Sequence, residues 1–229
     1  YTPAPALVHQ ERAPIYSPLR AVHNEAMRRL AAAAWLARAA AQQLDDATIR
    51  QQVNACLYDD SGTPTWNAST PGCDASAWDV SAVTSMAELF TGVQGLDSDI
   101  SGWNVSGVTD MRAMFAYTIG GPLAFVLNPS LVGNLSDWDV SSVRDMSYMF
   151  SGSEAFNGNV SAWNVASVRN MSYMFYSVDA FNGDVSAWNV GSVRDMSYMF
   201  YSVDAFNGDV SQWNVASVRD MSGMFDDAS

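Results

Sequence analysis

From residue 78 onward the apolar side chains fall at one fixed set of intervals. Trp78, Trp103, Trp138, Trp163, Trp188 and Trp213 stand 25, 35, 25, 25 and 25 residues apart. Counted from each Trp, valine recurs at plus two and plus five, methionine at plus eight and phenylalanine at plus twelve. From the second copy on, an aliphatic residue also stands at minus three (Ile100, Leu135, Val160, Val185, Val210). One unit is therefore repeated six times. A single unit would leave its upper and lower faces bare, whereas stacked units bury them against one another. The alternation in Trp-Asn-Val predicts a short strand with Trp and Val inward and Asn or Asp outward. Stacked strands of this kind form a parallel ladder with a spacing of about 4.8 Å. Met146, Met149 and Phe150, three and four residues apart, predict a short helix or helical turn. Asp145, Asn170, Asp195 and Asp220 are placed to cap it. The return segment Phe156-Asn157-Gly158, repeated at 181–183 and 206–208, predicts a turn with its Phe inside.

The chain before the repeats has a different pattern. Residues 1–16, with Pro3, Pro5 and Pro14, read as an extended arm. Residues 17–57 read as a helical capping or docking segment. Ser17-Pro18 has the form of an N-cap followed by proline at the first helical position. Leu19, Val22, Ala26, Leu30, Ala33 and Ala37 then make one apolar face of a helix running to about Leu44. A shorter helix follows, opened by Asp45 or Asp46 and containing Ile49, Val53, Cys56 and Leu57. Residues 58–77 form a linker loop, and residues 78–229 form the six-repeat array. An insertion at about 116–128 interrupts that array. Its apolar Leu123, Phe125 and Leu127 mark either a contact site or a loop folded onto the flank of the stack. The long helix has three readings: a shield over the first repeat, a docking helix using Arg28, Trp35 and Arg38, or a peripheral contact with an anionic membrane. Its mostly alanine face makes the last a poor anchor.

Charge narrows the partners. The net charge is −13, with no lysine, and residues 1–44 carry five Arg against two Glu. The acidic excess thus lies wholly in the remainder, which argues against nucleic acid. No apolar run reaches the roughly 18–20 residues that span a bilayer. The chain starts at Tyr1 rather than Met, the form of a processed or partial product. Cys56 and Cys73 can close a loop whose constraint is worth about 3 kcal/mol. Their place before the first repeat suits a staple and an oxidising compartment. The alternative is two thiols in a reducing one.

Three sets of side chains recur outside the core. Asp79, Asn104, Asp139, Asn164, Asn189 and Asn214 are expected on a concave strand face. With Asp99, Asp184 and Asp209 they offer oxygens to calcium, although no copy concentrates carboxylates as a dedicated calcium loop does. Arg144, Arg169, Arg194 and Arg219 precede Tyr148, Tyr173, Tyr198 and Gly223 by four residues, a spacing at which Arg packs on Tyr on a helical turn. Each Arg is also expected to pair with an aspartate. Arg and Tyr are favoured at interfaces, so these seven are interface candidates; a solvated, neutralised edge is the plainer reading. Of the N-x-S sequons, Asn67 in the leading loop is the glycosylation candidate.

The segment Phe181-Asn182-Gly183-Asp184-Val185-Ser186-Ala187-Trp188-Asn189-Val190 resembles the F-N-x-D-I-S-x-W-D-V-S-x-V-T-x-M-x-x-M-F repeat of the BspA-like leucine-rich-repeat surface proteins. The resemblance covers residues 72–229. It implies an α/β fold: a right-handed LRR-like solenoid with a short parallel β-ladder and short helical turns, here preceded by the N-terminal helical segment. It also implies adhesion or protein contact and no catalytic residues. Threonine at plus six survives only as Thr84 and Thr109; the last four copies carry Arg. No Ser/His/Asp or Cys/His set and no phosphate loop is present. The expectation is a non-catalytic, cofactor-free repeat protein making protein contacts or adhering at a cell surface or outside the cell. The alternative is a scaffold subunit of a larger, membrane-associated assembly in an organelle lumen or plastid, docked through its N-terminal helix.

Overall fold

The computed structural model describes residues 43–58, 65–67, 69–117 and 135–228. The extended arm, the long Ala/Arg helix with Arg28, Trp35 and Arg38, and the insertion residues Leu123, Phe125 and Leu127 lie outside these residues.

Helix α1 spans Asp46–Cys56. It starts where Asp45 accepts hydrogen bonds from the N–H groups of Ala47 and Thr48 while the Thr48 hydroxyl accepts from Asp45 N–H, a reciprocal capping box. Ile49, Val53 and Cys56 form its buried face. At Leu57 the backbone turns extended, and strand β1 (Leu57–Tyr58) pairs antiparallel with β2 (Thr65–Trp66). A disulfide joins Cys56 to Cys73, and a 3₁₀ turn at Ala75–Ala77 leads into the first repeat.

The repeats stack in register. In each, the N–H groups at plus eight, ten, twelve and fourteen donate to carbonyls of the next repeat. Met146, Tyr148, Phe150 and Gly152 thus reach Asn170, Ser172, Met174 and Tyr176 at 2.8–3.0 Å. The same four bonds recur from Met86 to Ser202. Met149, Ser151 and Ser153 instead donate three residues back, to Met146, Tyr148 and Phe150. The backbone is therefore a string of overlapping four-residue turns, with alternate N–H groups used within and between repeats. This differs from the predicted helix. A helix would commit every N–H internally, and the left-handed plus-ten residues Tyr148, Tyr173 and Tyr198 (φ 58°, 58° and 55°) cannot belong to one. Turns with Met, Met and Phe at these intervals bury the same side chains that a helix would.

Trp-Asn-Val does not form the expected strand. The parallel bridges lie at plus seven instead, linking Ser85, Asp110, Asp145, Asn170, Asp195 and Asp220 in succession. Equivalent rings show why. Tyr148–Tyr173 and Tyr173–Tyr198 centroids are 4.5 and 4.9 Å apart. Phe115–Phe150 and Phe150–Phe175 are 5.6 and 5.7 Å apart, and Trp163–Trp188 and Trp188–Trp213 6.5 and 6.4 Å. The stack opens like a fan from the Tyr side to the Trp side. A backbone ladder needs about 4.8 Å, which the narrow rim provides and the wide one does not. There the indole bridges the gap: Nε1 of Trp103, Trp138, Trp163, Trp188 and Trp213 donates to the minus-three carbonyl of the preceding repeat at 2.8–3.1 Å.

The first repeat receives from α1 what the others receive from a neighbour. The Asp46 carboxylate accepts from Thr84 N–H, the Thr84 hydroxyl and Ser85 N–H at 2.6, 2.7 and 3.0 Å. Arg50 donates to the Ala87 carbonyl at 2.7 Å. Anion meets donors and cation meets acceptor. Among the described residues capping thus falls to the shorter helix. At the other end Val215, Met221 and Phe225, whose equivalents are buried in every earlier repeat, are 40–43% exposed. Burial comes from the neighbouring repeat. The long repeat between Trp103 and Trp138 leaves the ladder intact, since Met111 still donates to Asp145 at 2.9 Å.

Replacing Trp188 by Phe keeps a ring but removes the bond between repeats, leaving the Val160 carbonyl with the Trp163 N–H alone. Denaturant unfolding should show a loss of about 1–3 kcal/mol, from the missing bond and the smaller buried ring together. A change within about 0.5 kcal/mol, the scale of an ordinary surface substitution, would contradict the bridging role.

Candidate interaction surface

Two side-chain rows follow the narrow rim. One is the plus-six column. Its backbone bonds run opposite to the others: Arg169 N–H donates to Arg144, Arg194 to Arg169 and Arg219 to Arg194, each at 2.8 Å. All four side chains are exposed. Arg50 is bound to the Ala87 carbonyl and Arg112 to Glu88 at 3.5 Å. The row therefore holds every arginine of the described residues that has no side-chain partner there. The predicted aspartate pairing of Arg144, Arg169, Arg194 and Arg219 is absent among the described residues.

The other row is Tyr148, Tyr173 and Tyr198, with Tyr176 and Tyr201 beside it. Tyr148, Tyr173 and Tyr198 stack on one another, and Tyr176 stacks on Tyr201 at 4.8 Å. The expected Arg–Tyr packing is not formed, because the left-handed turn at plus ten removes the helical geometry that would bring the two together. Stacking covers the ring faces and leaves their edges outermost. The Tyr201 hydroxyl donates to Asp227 at 2.6 Å, and this bond, with the carboxylate's charge, pushes its pKa up to about 12. Burial, then its neighbouring tyrosines, raise that of Tyr173. In the last repeat Gly223 takes the Tyr position with φ +61°, and a Cβ there would stand 2.5 Å from the Tyr198 ring.

The Asp and Asn columns are committed to the backbone. Oδ1 of Asp79, Asn104, Asp139, Asn164, Asn189 and Asn214 accepts from the N–H two residues on at 3.1–3.2 Å, closing a turn. These residues adjoin the Trp column, so they follow the wide side rather than a concave face. Asp99, Asp184 and Asp209 close turns with Ser101, Ser186 and Ser211 in the same way. Asp145, Asn170, Asp195 and Asp220 do so with both the N–H and the hydroxyl of the serine two residues on. Among the described residues no three His, Cys, Asp or Glu side chains gather to hold an ion. Asn67, half-buried, accepts from Ser69 N–H at 3.0 Å. No helix among the described residues is long and apolar enough to cross a membrane.

The repeat chemistry is matched by one family model, described as Mycoplasma protein of unknown function, over residues 66–120 and 123–229. The chain belongs to the DUF285 family. The DUF285 match begins at Trp66, the ring that packs against Trp78 and Phe90. The repeats thus carry the family likeness, and α1 precedes it. No curated protein and no solved structure matches the chain.

Sequence reasoning missed the roles of Asp46 and Arg50. Their spacing of four on a helix was visible, but only the orphan donors and acceptors of the first repeat give it meaning. It also missed the serines at plus nine. Ser147, Ser172 and Ser197 are buried, and nothing in the repeat pattern singled them out.

Serine hydrogen bonds hold the carboxyls of Asp79, Asp99, Asp139, Asp184 and Asp220 below their ordinary 3.8. Asp46 loses some solvation, which opposes ionisation, but bonds from Thr84 and Ser85 and the charge of Arg50 outweigh it. A carboxyl whose pKa is lower folded than unfolded stabilises the fold above its unfolded value, and that contribution is lost on acidification. Stability should therefore hold from neutral pH down to about 5 and fall progressively below about 4. Denaturant unfolding at stepped pH reads this directly. A stability that stayed level or rose between about pH 4 and pH 2 would contradict the assignment.

Proposed function

We propose that this is a non-catalytic repeat protein whose stack is a right-handed LRR-like solenoid of the BspA-like kind, and whose role is adhesive contact with a macromolecular partner at a cell surface or outside the cell. The observation that carries this reading is the narrow rim. Four consecutive repeats each place an exposed arginine without a side-chain partner there. Beside it, three of them place a stacked tyrosine. Arginine and tyrosine concentrate where proteins bind. Membership of a repeat family is in keeping with a surface protein of this kind. The remaining recurrent polar groups are spent on turns, and a carboxylate held ionised by serine bonds is a poor proton shuttle. The Cys56–Cys73 link supports an oxidising compartment.

Reversing the row, with Arg144, Arg169, Arg194 and Arg219 all changed to Glu, should leave the circular dichroism spectrum unchanged. Attachment of the purified chain to the cells or matrix that bind the unaltered protein should fall at least about tenfold. Undiminished attachment by the folded variant would refute the role of the rim. Removing residues 1–42 should leave attachment in place; its loss would favour the docking-helix scaffold instead.

A further inference from the structure

The proposed contact surface has features that narrow the chemistry of its partner. The guanidinium groups of Arg144, Arg169, Arg194 and Arg219 stand one repeat apart along an edge whose backbone bonds are each 2.8 Å long. Like charges at that pitch repel one another, and the body that carries them is acidic, with a net charge of −13 for the chain. The nearest aspartates do not relieve them. Asp145, Asp195 and Asp220 are bound to Ser147, Ser197 and Ser222. The row is thus left to an anion from outside, and its regularity asks for a ligand as regular as itself.

The tyrosines define the ligand further. The faces of Tyr148, Tyr173 and Tyr198 are spent on one another. Stacking of nucleobases, on which single-stranded nucleic acid binding depends, needs free aromatic faces. Edges and hydroxyls remain for a ligand to meet, the Tyr201 hydroxyl being bound to Asp227. Phenol hydroxyls along the same rim as the guanidinium groups suit a ligand that is rich in hydroxyls and also charged. An acidic peptide fits less well, because its side chains bring the charge without the hydroxyls.

We infer that the Arg144–Arg169–Arg194–Arg219 row and the tyrosine column of the same rim bind an extended anionic polysaccharide, its carboxylate or sulfate groups seated along the arginine row and its hydroxyls on the tyrosine edges. This rests on the contact reading above and names the partner's class. A charged pyranose homopolymer carries an anionic group and several hydroxyls on every sugar, so one extended chain offers both kinds of contact along the whole rim. The bonds are charge-assisted, bidentate where an arginine meets a carboxylate squarely. Substitution of Arg for Thr at plus six in the last four repeats then builds the site without altering the core.

The test is isothermal titration of the full chain with polygalacturonate, with a sulfated galactan, and with the neutral galactan. Poly-glutamate and single-stranded DNA serve as the competing polyanions. The expected result is binding to one or both anionic polysaccharides and none to the neutral one. Arg169→Gln should weaken it by about five- to tenfold, the fourfold Gln variant should abolish it, and Tyr173→Phe, which keeps the stack, should weaken it less. Two results overturn the inference: no anionic polysaccharide binds at low salt, or poly-glutamate or DNA binds as tightly. If the fourfold variant loses attachment to native surfaces while no polysaccharide binds, the ligand class is wrong and the contact reading stands. If the variant keeps its attachment, both fall.

Discussion

The hydrogen bond from each plus-eight methionine N–H to the plus-seven carbonyl of the next repeat, 2.8–2.9 Å long at every junction, sets the register of the whole stack. With that bond fixed, the three that follow it along the rim fall into place, and each ring comes to rest on its equivalent. Because these bonds hold one rim at the ladder spacing, bulk on the other side must splay, and the Trp rings separate to 6.1–6.5 Å. The indole N–H then spans a distance at which backbone no longer meets backbone. Trp at this position is accordingly both core and bridge. A phenylalanine would keep a ring there but lose the bond between repeats, leaving the carbonyl only the tryptophan N–H of its own repeat.

The same constraint explains the first repeat. A stack held by directional bonds has ends of defined polarity, and α1 is built to match one of them. Asp46 stands where the plus-six and plus-seven N–H groups point out, and Arg50 where a carbonyl does. The disulfide then ties the end of that helix to the entry of the array. Left-handed backbone at plus ten and plus fourteen is the cost of the routing. It falls on Tyr148, Tyr173, Tyr198, Ser177 and Ser202 as well as on Gly92 and Gly152. A bulky residue in that region loses roughly 1–2 kcal/mol, which stacking of the tyrosines offsets in part.

How much of this could be read from the sequence follows from what hydrophobic spacing encodes. The period, the six-fold count and the identity of nearly every core side chain were legible, because Trp, Val, Met and Phe recur at fixed intervals and burial depends on little else. Routing of the backbone was not. A helix and a run of overlapping turns both bring Met146, Met149 and Phe150 to one side, so the pattern cannot distinguish them; the hydrogen bonds do. Trp163-Asn164-Val165 alternates as a strand does, yet it lies where the repeats are too far apart to pair. The surface was legible in part. The Arg and Tyr columns were visible as departures from uniformity, but their pairing was misjudged. The tyrosines face one another, and the arginines are left without partners among the described residues.

Hydrogen exchange resolved residue by residue tests the routing most directly. If the repeats are joined along the narrow rim as described, the amides of Met171, Tyr173, Phe175 and Ser177, each bonded to the next repeat at 2.9–3.0 Å, should be among the slowest to exchange. Those of Asn164 and Val165, which take part in no such ladder, should exchange much faster despite lying in the middle of the stack. Slow exchange concentrated at Trp163-Asn164-Val165, with fast exchange at Met171 and Phe175, would mean that the strand lies beside the tryptophans after all and would contradict the account.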